Sequence, residues 1–244
     1  MLSCEFAHNR YPDQMTTVAV IPVKQLANAK QRLQGVLSGQ LRRELFRAMF
    51  SDVLEAVSSC DLVDRVMVVT GDDEVAAVSR EYGAEVHPEP ESPGLIEAVT
   101  EAGRELAGDR VDTLLFLPAD VPLVSVEELE VVLDGFGRQS GPEMMIVPAA
   151  DLGGSNCVAC SPPDCMRFGF GEDSFRRHLR IAAELGVTAQ VAKLPGIGLD
   201  VDTPDDLFEV ATRLQKQGLD THTHRFLVER GIMDELMRGR KRIG

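Results

Sequence analysis

The sequence predicts an α/β fold in which a mixed, mostly parallel β-sheet is sandwiched by helices. Short runs rich in β-branched residues alternate along the chain with segments whose apolar residues have helical spacing. Such alternation is typical of a parallel sheet that is covered on both faces. The chain has 244 residues, of which 44% are hydrophobic. This is enough to bury one core without disulfides or a structural metal.

The first half of the chain contains four predicted strands that are separated by helices. The strands are expected at residues 17–23, 65–70, 84–87 and 113–120. The helices are expected from Ser38 onward and at residues 74–83, 95–107 and 126–134. Ser125 and Glu128 have the spacing of a capping box at the start of the fourth helix.

The second half continues this alternation. Strands are expected at residues 144–149, 188–194 and 199–201, and a helix is expected from Ser174 to Gly186. Thr203, Pro204 and Asp206 supply the cap, first-turn proline and acidic residue that are typical of a helix start. The chain is therefore expected to consist of a disordered leader (1–15), one main domain (16–218) and a helical tail (219–244).

Charge and cysteine content disfavour several classes of partner. The formal net charge is −14, which repels nucleic-acid phosphates, and no apolar run reaches the roughly 20 residues of a membrane helix. No nucleic acid or membrane is therefore expected as a partner. The odd number of cysteines favours reduced thiols and a cytoplasmic location. Three of them, Cys157, Cys160 and Cys165, lack a fourth zinc ligand and are interpreted as buried thiols.

Three cations follow the first strand within nine residues: Lys24, Lys30 and Arg32. Ligands of parallel sheets bind beyond the carboxyl ends of the strands, so these cations predict a triphosphate site. Val23 and Thr70, at the ends of the first two strands, are expected beside it. The glycine-rich dinucleotide fingerprint is missing here, which disfavours a nicotinamide enzyme. An ordinary solvated loop remains the competing interpretation.

Acidic residues follow two later strands. Asp120 ends a buried apolar run, where an ionised carboxylate needs a partner, and a hard cation such as Mg²⁺ is a suitable one. Alternation in a strand would place Asp200 and Asp202 on one face. One of these two is expected to complete a magnesium site with Asp120. A turn aspartate at 120 and an acid beside a helix start at 202 are the competing interpretations.

Two glycine-containing loops, GGSN at 153–156 and GFGEDSF at 169–175, are also candidates for ligand binding. Gly154 allows a backbone amide to approach an anion closely. Ser174 lies where a helix amino end can accept a phosphate or carboxylate. A hairpin turn and an ordinary serine cap are competing explanations of the two loops.

Five segments in a fixed order resemble the 2-phospho-L-lactate guanylyltransferase family, a branch of the MobA-like nucleotidyltransferases. The resemblance runs from about Val18 to Leu207. It is carried by IPVKxLxxAKxRL at 21–33, LPADVPL at 117–123, GGSN at 153–156, GFGEDSF at 169–175 and LPGIGLDVDTPDDL at 194–207. Each segment alone is a weak signal, whereas the ordered set is specific.

The resemblance implies a Rossmann-like domain of the nucleotide-diphospho-sugar transferase type, GTP as donor, Mg²⁺ as cofactor and a possible homodimer. The acceptor it implies is a small phosphorylated carboxylic acid (2-phospho-L-lactate, phosphoenolpyruvate or 3-phospho-D-glycerate) in coenzyme F420 biosynthesis. The implied nucleotide site contains Val23, Lys24, Lys30, Arg32 and Thr70. The implied catalytic residues are Asp120, Lys30 and Arg32. The implied metal ligands are Asp120 with Asp202 or Asp200. The acceptor would be held by Gly154, Ser155, Asn156, Gly171 and Ser174.

The chain departs from the family pattern at Ile96, where an asparagine is common. This change removes a polar group and puts guanine selectivity in question. Ser155 and Val121, which replace a usual threonine and leucine, are milder departures. Two other functions stay open at this point: a cytidylyl- or adenylyltransferase of the same fold, and a non-catalytic nucleotide-binding protein.

Overall fold

The computed structural model describes residues 15–24, 30–92 and 94–240, so the predicted leader lies outside the described residues except for Met15. The strands are β1 (Thr17–Pro22), β2 (Arg65–Val69), β3 (Glu85–His87), β4 (Thr113–Phe116), β5 (Glu143–Pro148), β6 (Ser155–Ser161) and β7 (Thr188–Val191). The helices are α1 (Gly39–Ser58), α2 (Asp73–Glu81), α3 (Leu95–Gly108), α4 (Val126–Leu133), α5 (Ser174–Leu185), α6 (Pro204–Gln217), α7 (His222–Glu229) and α8 (Ile232–Arg240). A 3₁₀ turn, Gln31–Leu33, begins directly after Lys30.

The strands form one sheet with the order β3-β2-β1-β4-β6-β5-β7. β6 pairs antiparallel with β4 and β5, while every other neighbouring pair is parallel. The predicted mixed, mostly parallel sheet is therefore confirmed. Because β6 is reversed, its first residues lie at the edge where β1, β2 and β4 end. That edge therefore contains the loops after β1, β2 and β4 and the start of β6.

Alternating side chains of the central strands enter two cores on opposite faces of the sheet. Ile21 packs with α1, α2 and α4, whereas Phe116 packs with α3 and α5. A third cluster joins the outer side of α1 to α6, α7 and α8 and includes Leu45, Leu207 and Leu227. No helix among the described residues is long and apolar enough to cross a bilayer.

Asp52 of α1 fixes the start of α7. Its two carboxylate oxygens accept the backbone N–H groups of His222 and Thr223 at 2.7 and 2.9 Å. These are the amides that a helix amino end leaves without intrahelical partners. The C-terminal helices are thereby attached to the main body by a buried hydrogen-bonded contact as well as by apolar packing.

Two predicted strands differ from the structure. Residues 199–201 form a loop, and the expectation of a strand there is wrong, because the N–H of Val201 donates to the Asp120 carbonyl oxygen (3.0 Å) outside any ladder. β4 ends at Phe116 instead of Asp120. Pro118 has no N–H to continue a ladder, so the chain leaves the sheet before the aspartate.

Glu128 has a different role from the one its spacing suggests. Ser125 caps α4 by accepting the Glu128 N–H at 3.3 Å, as expected. The Glu128 carboxylate does not complete a capping box, because its two oxygens accept the N–H groups of Gly196 and Ile197, both at 2.7 Å. Glu128 therefore holds the turn that leads into residues 199–202.

Replacement of Gly196 by alanine is expected to destabilise the fold. A Cβ atom at this position would lie 2.2 Å from the Leu123 carbonyl oxygen and 2.7 Å from a Glu128 carboxylate oxygen. Overpacking of this kind costs about 1–3 kcal/mol. Chemical denaturation measures the loss in the free energy of unfolding. Gly108→Ala is the control, because nothing lies within 4 Å of its Cβ position; equal stability of the two variants would contradict the prediction.

Candidate functional site

Lys30 lies at the centre of a charged cluster at the carboxyl edge of the sheet. Its ammonium Nζ donates to Asp120 Oδ2 at 2.5 Å and to Asp202 Oδ1 at 2.9 Å. The Lys30 side chain is only 5% exposed, whereas those of Asp120 and Asp202 are 23% and 48% exposed. Arg32 Nη1 lies 3.8 Å from Asp202 Oδ2 at the rim. The structure therefore brings together four residues that come from three separate segments of the sequence.

The carboxylates hold Lys30 in its charged form. Burial alone lowers the pKa of an ammonium group, but the negative charges of Asp120 and Asp202 and their hydrogen bonds outweigh this effect and raise the pKa of Lys30. Lys30 also has a left-handed backbone conformation (φ 53°, ψ 45°) immediately before the 3₁₀ turn. A non-glycine residue adopts this conformation at a cost in free energy. The residue that forms the two ion pairs is therefore also one whose backbone is strained.

A cleft of about 470 Å³ opens beside this cluster. Its walls come from the loops after β1, β2, β3 and β4 and from the start of α3. It is lined by Pro22, Val23, Lys24, Phe46, Val69, Glu89, Gly94, Leu95, Ala98, Phe116, Pro118, Ala119 and Asp120. Most of these residues are apolar, and the charged ones are Lys24, Glu89 and Asp120. Such a cleft can hold a planar base against the apolar walls with its phosphates toward the cluster.

A β-bulge aims Asn156 at the same edge. Val147 pairs with Cys157 and Pro148 pairs with Ser155, so Asn156 is an extra residue in β6. Bulges redirect side chains in this way beside many active sites. The Asn156 amide donates to the Ile197 carbonyl oxygen and to Asp200 Oδ1, both at 3.0 Å.

Asp200 is the third carboxylate near the cluster. Burial raises its pKa, and the charges of Asp120 and Asp202 raise it further, although the hydrogen bond from Asn156 opposes the change. Asp120 and Asp202 are therefore near enough to Asp200 for their charges to act on it. Their convergence favours a bound cation, which would relieve the repulsion.

A second cleft, of about 320 Å³, lies on the other side of Asp202. It is lined by Arg32, Ala149, Ala150, Asp151, Gly154, Asn156, Gly198, Leu199, Asp200, Asp202, Thr203 and Asp206. Four of these residues carry carboxylates and one carries a guanidinium. An anionic ligand would be repelled here unless a cation lay between it and the aspartates.

The predicted acceptor-binding serines lie in a buried hydrogen-bonded chain. Ser174 Oγ donates to Ser155 Oγ at 3.2 Å, and Ser155 Oγ lies 3.0 Å from His178 Nδ1. His178 Nε2 accepts the backbone N–H of Gly169 at 2.9 Å. The side chain of His178 is completely buried. Burial, assisted by the positive charge of Arg177, lowers the pKa of His178 to about 4.

Two of the metal ligands expected from the sequence, Asp120 and Asp202, lie on either side of the Lys30 ammonium. Asp120 and Asp202 share the ammonium, which occupies the position of a cation between them. The donor set, oxygen atoms of converging carboxylates, fits a hard divalent cation. Among the described residues, the group of three side chains whose ligand atoms all lie within 4.8 Å of one another is elsewhere, at Asp52, Glu55 and His222. Both Asp52 oxygens there accept helix N–H groups, which explains that cluster structurally.

Several predicted site residues lie apart from the two clefts. Thr70 is buried, and its hydroxyl accepts the Asp72 N–H at 3.1 Å; it does not line the first cleft. Ile96 does not line this cleft either. The residue that stands in place of the usual asparagine is therefore not part of the cleft wall. Gly171 (φ 105°) forms the turn before α5, and its carbonyl oxygen accepts the Ser174 N–H at 3.1 Å. Ser174 is the first residue of α5, and Asp173 is its N-cap.

Sequence reasoning missed three residues that shape the site. Glu89 lines the first cleft, Glu128 holds the turn at Gly196, and His178 contacts Ser155. Glu89 follows β3 at the carboxyl edge, so its position after a strand was a usable signal. The partners of Glu128 and His178 lie 68 and 23 residues away, and no local pattern indicates them.

Comparisons with known proteins identify the family of this chain. A family model described as "Guanylyl transferase CofC like" matches residues 17–243. The phosphoenolpyruvate guanylyltransferase of Conexibacter woesei is 36% identical over 92% of this chain and 98% of its own length. The 3-phospho-D-glycerate guanylyltransferase of Colwellia psychrerythraea is 35% identical over 79% of this chain and 90% of its own length. The 2-phospho-L-lactate guanylyltransferase of Methanothermobacter thermautotrophicus is 30% identical over 87% of this chain and 90% of its own length.

Solved structures agree on the fold. A protein from Desulfovibrio desulfuricans that is described as a nucleotide-diphospho-sugar transferase superposes with a TM-score of 0.73 at 19% identity, covering 92% of this chain and 98% of that one. A CMP:2-keto-3-deoxy-manno-octonic acid synthetase bound to CTP superposes with a TM-score of 0.54 at 15% identity, covering 84% of this chain and 100% of that one. The nucleotide-diphospho-sugar transferase type of fold expected from the sequence is therefore confirmed.

His178 is expected to make stability depend on pH. Its pKa is about 4 in the folded protein and 6.5 in an unfolded chain, so the unfolded chain binds the proton more tightly. The contribution is fully present above pH 6.5 and is lost as the pH falls toward 4, by about 3 kcal/mol in total. Denaturant unfolding measures the free energy of unfolding at pH 7 and at pH 4.5. The decrease between these two pH values should be smaller for His178→Asn than for the wild type. His224→Asn, on α7, is the control; an unchanged difference in His178→Asn would refute this assignment.

Proposed function

Because the chain belongs to the CofC-like guanylyl transferase family, we propose that it transfers GMP from GTP to a small phosphorylated carboxylic acid and releases diphosphate. The acceptors named for its relatives, phosphoenolpyruvate, 3-phospho-D-glycerate and 2-phospho-L-lactate, define the substrate class, and the family relates the reaction to coenzyme F420 biosynthesis. The observation that carries this proposal is the position of the Lys30–Asp120–Asp202 cluster between two clefts. One cleft suits a nucleotide and the other a small acid.

The nucleotide is assigned to the cleft of 470 Å³. Lys24 lines this cleft, Lys30 borders it through Asp120, and Arg32 is 74% exposed on the opposite side of the cluster. Lys24 and Lys30 are proposed to lie where negative charge accumulates as diphosphate departs, whereas Arg32 lines the second cleft. Fixed positive charges at such a position stabilise the transition state of phosphoryl and nucleotidyl transfer.

The reaction needs no general base. A phosphate monoester has its second pKa near 6 and is largely a dianion at pH 7. One of its oxygens attacks the α-phosphorus of GTP, and the bond from that phosphorus to the oxygen bridging to the β-phosphorus breaks. The leaving diphosphate carries the electron pair away. The protein's task is therefore to position the two anions and to neutralise their charge.

Asp120 and Asp202, with Asp200 beside them, are the residues that would hold Mg²⁺. When bound, the ion would supply positive charge to the phosphates at the junction of the two clefts. The second cleft carries four carboxylates and one guanidinium, and this excess of negative charge supports the requirement for a cation with an acidic acceptor. Lys30 already demonstrates that the two aspartates accept a shared positive charge.

Glu89 is proposed to select guanine. It is a half-buried carboxylate in the first cleft, on the loop after β3. Guanine presents two adjacent donors, N1–H and the N2 amino group, and an ionised carboxylate can accept both. Adenine and cytosine present one amino donor beside a ring acceptor, which a carboxylate would repel. This role would preserve guanine selectivity although Ile96 replaces the usual asparagine.

Purified protein incubated with each of the four nucleoside triphosphates and each of the three acids should form a guanylylated acid with GTP alone. Mass measurement of the products identifies both donor and acceptor. Glu89→Gln should lower the preference for GTP over ATP by about tenfold, because one acceptor becomes a donor. Glu91→Gln, at an exposed position of the same loop, is the control. Efficient transfer from CTP or ATP by the wild type would favour the alternative transferases.

Asp120→Asn should reduce diphosphate release with Mg²⁺ at least about 100-fold, because it removes one negative charge from the cation site. The change preserves the size of the side chain, so the fold should persist. Asp61→Asn, an exposed carboxylate between α1 and β2, should retain the wild-type rate. Turnover of Asp120→Asn at the wild-type rate would show that the cluster is not the catalytic centre.

A further inference from the structure

His178, Ser155 and Ser174 form a hydrogen-bonded chain behind the second cleft. Ser155 begins β6, Ser174 begins α5, and His178 lies one turn later in α5. The two neighbours of Ser155, Gly154 and Asn156, line the second cleft. Ser155 lies between these two residues of the cleft wall and is itself buried.

The direction of each hydrogen bond in this chain follows from one backbone amide. The N–H of Gly169 can only donate, so His178 Nε2, which lies 2.9 Å away, must accept and carries no hydrogen. The ring is neutral at pH 7 because its pKa is about 4. Its single hydrogen is consequently on Nδ1 and is donated to Ser155 Oγ, 3.0 Å away.

This arrangement leaves one hydroxyl hydrogen available. Ser155 Oγ accepts from His178 Nδ1 and from Ser174 Oγ, so both of its lone pairs are used. The hydrogen of Ser155 has no acceptor among the described residues. If Ser155 instead donated its hydrogen to Ser174, the hydroxyl hydrogen of Ser174 would be the one without an acceptor. In either case the serine pair has one O–H group that can only donate.

We propose that His178 is a positioning residue that fixes the Ser155–Ser174 pair as a hydrogen-bond donor to the carboxylate or phosphate of the acid acceptor. An ionised acid offers acceptors only, so a pair that is fixed as a donor matches it. In the other tautomer of His178, Nδ1 would carry no hydrogen and would accept the hydroxyl hydrogen of Ser155, which could then no longer be donated to the acid. The Gly169 N–H excludes that tautomer. This inference rests on the proposed function for the identity of the ligand, but the tautomer of His178 is independent of it.

Two variants of His178 test its two hydrogen bonds separately: the one that Nδ1 donates to Ser155 and the one that Nε2 accepts from Gly169. Asparagine can place an amide N–H near the position of Nδ1, and glutamine can place an amide oxygen near the position of Nε2. His178→Gln should raise the KM for the acid about tenfold, the size expected when one charge-assisted hydrogen bond is weakened. The KM for GTP should stay within about twofold. His178→Asn should retain a KM for the acid near the wild-type value. Equal changes in both KM values, or no rescue by asparagine, would overturn the positioning role.

Nitrogen-15 NMR of the full chain, labelled at its histidines, tests the tautomer without any activity measurement. The His178 signals are identified by their loss in His178→Asn. The expected spectrum at pH 7 shows a protonated Nδ1 and an unprotonated Nε2, and a protonated Nε2 would refute the proposal. If the wild type transfers GMP to none of the three acids while the spectrum is as expected, the proposed function fails and the acceptor role fails with it. The hydrogen-bonded chain itself would then stand.

Discussion

The site depends on an ammonium ion that is shared by two carboxylates from distant parts of the chain. Without Lys30, the side chains of Asp120 and Asp202 would meet as like charges, and Asp200 would add a third. With it, the aspartates converge and the loops after β1 and β4 are joined to the loop before α6. Breaking a buried pair by removal of one partner is costly because the other charge remains. The left-handed backbone of Lys30 is tolerated for the same reason.

The sheet topology decides which segments meet at this point. Parallel strands bring the ends of β1, β2 and β4 to one edge, and the reversed strand β6 brings its beginning to the same edge. The bulge at Asn156 then turns an amide toward Asp200. Two clefts result on either side of the aspartates. A mixed sheet with one reversed strand thus provides, at one edge, the two clefts that are proposed for the nucleotide and the acid.

The alternation of strands and helices from β1 to β5 was predictable from local periodicity, and the placement of Lys30, Asp120 and Asp202 at one edge of the sheet was predictable from the edge rule for parallel sheets. The expected strands did not include β6 (Ser155–Ser161), and the ion pairs of Lys30 with the two aspartates were not foreseen, because the sequence assigned Lys30 to a triphosphate. The loop at 199–201 was not foreseen either, because its apolar alternation resembles a strand while its N–H group bonds to the Asp120 carbonyl oxygen. Glu128 was placed correctly but given the wrong partner. Its spacing from Ser125 indicates a local capping box, whereas the turn at Gly196 offers it two amides at 2.7 Å. Long-range partners of this kind are decided by tertiary packing, which a sequence pattern does not contain.

The partners of the carboxylates distinguish structural from functional acids in a chain that has 39 of them. Asp52, Glu128 and Asp206 each accept two adjacent backbone N–H groups, which cannot leave without unfolding the loop or helix that carries them. Asp120 and Asp202 instead share a side-chain ammonium at the end of a long, rotatable lysine. Such a partner can be exchanged for another cation or drawn toward a phosphate while the backbone stays in place. A carboxylate held by amides keeps the same partners in the folded protein, whereas one held by a lysine side chain can exchange that partner for another cation, and this difference supports the proposal that Asp120 and Asp202 form the cation site.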